Sequence, residues 1–126
     1  MEQKLVEMQD ISVEFPGVKA LDGVKFDLVR GEVHVLLGEN GAGKSTIMKV
    51  LAGVNTNYTG TVCYKGEQIQ CSDVRGQQKR GISIIFQETN LLRNLTVAEN
   101  IFLGRQPITR SGKVDWKRMN QQARAL

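Results

Sequence analysis

At 126 residues the chain suits one small domain, and 40% apolar residues are enough to build a core. No run approaches the roughly 18 to 20 apolar residues of a membrane-spanning helix, and Met1-Glu2-Gln3-Lys4 does not resemble a signal peptide, so a cytosolic chain, free or docked beneath a membrane, is expected. The net charge is +4 and unevenly placed: residues 105–126 hold Arg105, Arg110, Lys113, Lys117, Arg118 and Arg124 against Asp115, a balance of +5 that leaves −1 for the first 104 residues.

In chain order, Lys4 to Phe15 is strand-like with a bulge expected near Asp10, and Pro16-Gly17 makes a turn. Leu21-Asp22-Gly23 predicts another turn. Val24 to Val29 then alternates apolar and charged residues, as a half-buried antiparallel strand does. Arg30-Gly31-Glu32 turns into Val33-His34-Val35-Leu36-Leu37, a run apolar on both faces and hence predicted to be a buried strand of a parallel sheet. Within it, His34 reads as a packed side chain rather than a base.

Gly38-Glu39-Asn40-Gly41-Ala42-Gly43-Lys44-Ser45-Thr46 fits G-x-x-x-x-G-K-[ST], the phosphate-binding loop. Behind it Thr46 to Ala52 predicts a helix with Ile47, Val50 and Leu51 on one face. Strand, glycine turn and helix start are the context this motif needs. Gly41 and Gly43 lack a Cβ, so the backbone can come close to a ligand. The N–H groups from Gly41 to Thr46 can then converge on phosphate oxygens at the positive end of the helix. Lys44 is placed to reach the β- and γ-phosphates, and the Ser45 hydroxyl to ligate Mg²⁺. Nucleotide binding follows from the residues themselves.

Gly53 to Gly60 is a polar connection, and Gly60 to Tyr64 with Gln68-Ile69 predicts a short hairpin turning at Lys65-Gly66. Ser72 to Arg80 predicts a short helix, and Gly81-Ile82-Ser83-Ile84-Ile85-Phe86 a second buried strand followed by Gln87. Thr96 is expected to cap a helix through Leu103, with Glu99 three positions on as in a capping box. Asp115 is a candidate cap for a last helix running to Leu126. Cys63 and Cys71 match no metal spacing and read as reduced structural thiols. The basic residues after 104 are dispersed and lack interleaved aromatics, which favours a solvated helix face over a nucleic-acid surface.

The order of Phe15, the phosphate-binding loop, the hairpin and Ile84-Ile85-Phe86-Gln87 resembles the nucleotide-binding domain of ABC transporters. Phe15 to Asp22, Gly31 to His34, Gly38 to Ser45, Gln87-Glu88 and Asn94 to Ile101 are, together, similar to the ATPase subunits of bacterial monosaccharide importers of the ribose, galactose and xylose group. The resemblance implies an α/β P-loop NTPase core with an N-terminal antiparallel β-subdomain. Residues 1–87 would carry the β-subdomain and the core up to the Q-loop, and residues 88–126 the start of a helical subdomain.

On individual residues it implies that Phe15 stacks on adenine, and that Gln87 contacts Mg²⁺ and the attacking water. Residues 88–104 would face a membrane-spanning permease subunit, with a second nucleotide-binding domain and, indirectly, a periplasmic sugar-binding protein as further partners. The expected cofactors are ATP and Mg²⁺, the expected location the cytoplasmic face of the membrane, and no nucleic-acid partner is expected. The Leu-Ser-Gly-Gly-Gln signature, the Walker B Asp-Glu, the D-loop and the switch His do not occur in the 126 residues, so the chain resembles about the first quarter of such a subunit.

The resemblance also places the partners of the phosphate-loop strand downstream of Walker B, which would leave Val33 to Leu37 at an open apolar edge. A competing reading is a truncated, non-catalytic nucleotide-binding or interaction fragment, because phosphoryl transfer needs an oriented water and positioned Mg²⁺. An ABC ATPase of DNA repair or translation is disfavoured by Asn94 to Ile101, and a small GTPase by the lack of Asn-Lys-x-Asp.

Overall fold

The computed structural model describes residues 3–39, 41, 43–86 and 91–126. The chain divides into two compact units, Met1–Ile85 and Phe86–Leu126.

The first unit is built on a four-stranded antiparallel sheet in the order β2-β1-β3-β4. Its strands are β1 (Lys4–Phe15), β2 (Val18–Val29), β3 (Thr59–Tyr64) and β4 (Glu67–Ile69). The turn at Pro16-Gly17 joins β1 to β2, with Phe15 paired to Val18. Strand β2 runs through Leu21-Asp22-Gly23, where a turn was predicted. Leu21 is buried opposite Val13, and the Gly23 N–H donates to Ser12 Oγ at 2.9 Å, so the strand absorbs the glycine as an irregularity of register. The bulge expected near Asp10 is present: Asp10 has φ 53°, and the register shifts between Met8 and Ile11 against β2 and between Gln9 and Ser12 against β3.

Helix α1 (Lys44–Leu51) lays Ile47, Val50 and Leu51 against the sheet, as its spacing predicts. With Val6, Met8, Ile11, Val13, Leu21 and Val62 they form one core. The hairpin turning at Lys65-Gly66 forms as expected. Helix α2 (Val74–Arg80) is capped by Asp73, whose carboxylate accepts the Gly76 N–H at 2.7 Å.

Two expected strands are not formed. Val33 to Leu37 forms no strand; Val33, Val35 and Leu37 are 92%, 69% and 89% exposed, while Leu36 packs against the core. Residues 82–86 are likewise irregular, with Ile85 95% exposed and Ile82 turned to the core. A strand apolar on both faces is held by ladders on both edges. No such ladder reaches either segment among the described residues.

The second unit holds α3 (Val97–Ile101) and α4 (Trp116–Arg124), with Ala98 and Met119 buried. The capping box is complete: the Glu99 N–H donates to Thr96 Oγ1 at 3.2 Å and the Thr96 N–H to Glu99 Oε2 at 2.6 Å. Helix α3 ends at Ile101 rather than Leu103, the chain continuing as turns to Gly104. Asp115 caps α4 by accepting the Arg118 N–H at 3.0 Å. Lys117, Arg118 and Arg124 are exposed along α4.

Candidate functional site

The phosphate-loop residues gather at the start of α1. Gly43 is its N-cap with φ 94°, a left-handed conformation that glycine adopts without strain. A Cβ there would stand 2.6 Å from Leu21 Cδ2 and 3.2 Å from the Ala20 carbonyl oxygen. Glycine is therefore required twice, by the backbone dihedral and by the contact with β2. Gly41 is also left-handed, at φ 86°. The Lys44 ammonium donates to the Gly38 carbonyl, folding the loop back on itself.

The first bond within the helix runs from the Ile47 N–H to the Gly43 carbonyl at 3.0 Å, so the N–H groups of Lys44, Ser45 and Thr46 precede the helical ladder. Among the described residues no side chain caps this end, and its first turn holds no acidic residue, so none of them neutralises the positive end of the helix dipole. A cleft of about 220 Å³ opens here, lined by Val18, Lys19, Ala20, Gly41, Gly43 and the first residues of α1. Amide donors, the lysines Lys19 and Lys44 and the exposed Ser45 hydroxyl fit a polyphosphate. Among the described residues no cluster of His, Cys, Asp or Glu could hold a metal by itself.

Phe15 lies at the hairpin end of β1, 46% exposed, and lines a separate hollow of about 660 Å³ together with Glu14, Lys19, Asn57 and Tyr58. Lys19 lines both this hollow and the phosphate-loop cleft. Glu39 is exposed; Asn40, Ala42 and Gln87 fall outside the described residues. His34 is exposed rather than packed in a strand, its ring edge-on to Phe26 with centroids 5.1 Å apart and Nδ1 3.3 Å from Glu32 Oε1. Glu32 also accepts the Val29 N–H at 2.9 Å, which together with His34 holds its carboxyl below the usual range.

The sequence reading missed Gln77, which is fully buried beneath α1. Its Nε2 donates to the Leu51 carbonyl at 2.6 Å and contacts Cys71 Sγ at 3.2 Å, while its Oε1 accepts from Arg80 at 2.7 Å. The amide thereby ties the C-terminal end of the phosphate-loop helix to α2. A Gln in a polar helix gives no signal of this, because its partner lies 26 residues earlier.

The family model for the ABC transporter matches residues 21–126. The chain belongs to the ABC transporter family. It is 53% identical over 98% of its length to a ribose import ATP-binding protein, RbsA 2, of Streptomyces coelicolor. It is 47% identical over its whole length to the xylose import ATP-binding protein XylG of Thermoanaerobacter pseudethanolicus. It spans 24% and 25% of the length of these curated relatives.

Among solved structures, a nucleotide-free ATP-binding cassette from an ABC transporter superposes with TM-score 0.73 at 28% identity, over 94% of this chain and 46% of that one. A second ATP-binding cassette of an ABC transporter gives TM-score 0.70 at 33% identity over 82% and 40%. The antiparallel sheet, the phosphate loop and α1 are thus the N-terminal elements of an ABC cassette. Among the described residues no helix is long and apolar enough to cross a membrane.

Proposed function

We propose that this ABC chain is the N-terminal part of the ATP-binding subunit of a monosaccharide importer. The observation that carries the reading is the group Gly41, Gly43, Lys44 and Ser45 at the uncapped, positive N-terminus of α1. ATP would be held by the loop Gly38 to Thr46, with its phosphates on the amides from Gly41 to Thr46 and on Lys44, and with adenine on Phe15. Stacking of a base on an aromatic is worth about 1–3 kcal/mol and needs no particular base edge. Mg²⁺ would be held by Ser45 and, in the assembled site, by Gln87, and would supply charge neutralisation at the transferring phosphoryl group.

The division proposed is 1–87 for nucleotide and 88–126 for a helical subdomain, with 88–104 facing a permease. Names of relatives, ribose import and xylose import, support a sugar as cargo. The partners that follow are a permease, a second nucleotide-binding domain and, through the permease, a sugar receptor, with the chain on the cytoplasmic face of the membrane.

The test is calorimetric titration of the chain with Mg·ATP. Saturable binding, weakened at least about tenfold, or 1.4 kcal/mol, by Lys44→Ala is expected. A folded chain that ignores millimolar Mg·ATP would refute the reading. Binding without turnover is the second reading, favoured by the exposure of Val33, Val35 and Leu37 just before the loop, where no ladder anchors it among the described residues. Steady-state ATP hydrolysis that Lys44→Ala abolishes would sink that alternative.

A further inference from the structure

Three consecutive residues of β2 connect the two hollows of the site. Val18 pairs with Phe15 across the hairpin, and Ala20 presents its carbonyl where a Cβ on Gly43 would stand. Between them, Lys19 lines both the phosphate-loop cleft and the hollow of Phe15. Its ammonium rests 3.0 Å from Asp22 Oδ1, with the two side chains 53% and 73% exposed, and Glu14 is its cross-strand neighbour. So exposed a pair contributes little, and a polyanion can displace it. A lysine is also a mobile point charge on a four-carbon stem, able to leave one carboxylate for a nearby phosphate.

We propose that Lys19 is a further nucleotide-binding residue, its ammonium moving from Asp22 to the α-phosphate between the base on Phe15 and the terminal phosphates on Lys44. This rests on the nucleotide-binding reading above. The α-phosphate is chosen because Lys44 would reach the β- and γ-phosphates, whereas Lys19 lines both that cleft and the hollow of the aromatic.

The test compares ATP, ADP, AMP and adenosine by calorimetry, with Mg²⁺, on the wild-type chain and on Lys19→Met, Lys19→Arg and Asp22→Asn, with Lys44→Ala as control. Lys19→Met is expected to weaken ATP, ADP and AMP by one common factor, about 3- to 10-fold, as loss of a single charge-assisted contact does. Adenosine should be unaffected, and Lys19→Arg should restore most of the loss. Asp22→Asn, which frees the ammonium without touching it, should tighten all three phosphorylated ligands. Four results would overturn the proposal: no change in Lys19→Met, an equal loss for adenosine, a loss that grows from AMP to ATP, or no tightening in Asp22→Asn. If Lys44→Ala weakens ATP while Lys19→Met does not, Lys19 alone is wrong. If the wild-type chain binds none of the four, the nucleotide-binding reading fails and takes Lys19 with it.

Discussion

Gln77 and Cys71 are buried in contact with each other, and each carries a measurable consequence. Gln77→Leu keeps volume but removes the donor to the Leu51 carbonyl, leaving a buried acceptor unpaired and Arg80 without its partner. The expected cost is about 1–3 kcal/mol, read as a lower urea midpoint at unchanged slope. A midpoint equal to wild type would show the amide to be dispensable. The Cys71 thiol is pushed above its ordinary value of 9.0 chiefly by burial, against lowering contributions from Tyr58 and Arg80. Folding therefore favours the neutral thiol, and that contribution is present below pH 9.0 and lost as pH rises beyond it. Iodoacetamide at pH 8 should modify half-buried Cys63 well before Cys71; equal rates on the native chain would contradict the packing of Cys71 under α2.

At the scale of elements, local chemistry was readable and long-range pairing was not. Thr96 and Glu99 stand three apart in sequence and close the capping box of α3, and Asp115 caps α4 through its own next turn. Thr96→Ala should cost α3 about 1 kcal/mol and lower amide-exchange protection at Asn100, with α1 and the sheet unaffected. Protection unchanged at Asn100 would mean that other contacts hold the helix, such as the Asn100 side chain, whose Nδ2 reaches the Leu92 and Thr96 carbonyls at 3.1 and 2.9 Å.

The bulge at Asp10 matters in the same way for β3. A Cβ on Gly60 would meet the Asp10 and Gln9 carbonyl oxygens at 2.5 and 2.6 Å, so strand and bulge fit each other only with glycine there. Strand character at 33–37 and 82–86 was read from apolar runs. A run of that kind records what the segment can bury, and a ladder on each edge decides whether it becomes a strand.

For the molecule as a whole, those two segments set the stability. Val33, Leu37 and Ile85 are each about nine-tenths exposed in a chain whose core lies under one face of a four-stranded sheet. Exposed apolar chain of this sort is prone to self-association. The 126-residue chain is expected to melt below about 55 °C without ligand, and to do so earlier at higher protein concentration if the melt is aggregation-driven. A cooperative, ligand-independent transition above that temperature would refute this. The net charge of +4 at pH 7 falls away toward the isoelectric point of about 9.3, so light scattering after mild heating should grow from pH 7 to pH 9.

The order of residues alone determined the helix behind the glycine motif and its apolar stripe, the turn at Pro16-Gly17, the hairpin at Lys65-Gly66, and the caps of α3 and α4. Each depends on neighbours within a few positions, where dihedral preference and side-chain reach suffice. Tertiary structure decided what depends on distant partners. Leu21 turned a predicted turn into strand by burying itself opposite Val13, and Gln77 joined α2 to the end of α1. Val33 to Leu37 went without a ladder among the described residues, and Lys19 came to stand between Phe15 and the phosphate loop. Burial and pairing are properties of the surroundings, which no single segment carries.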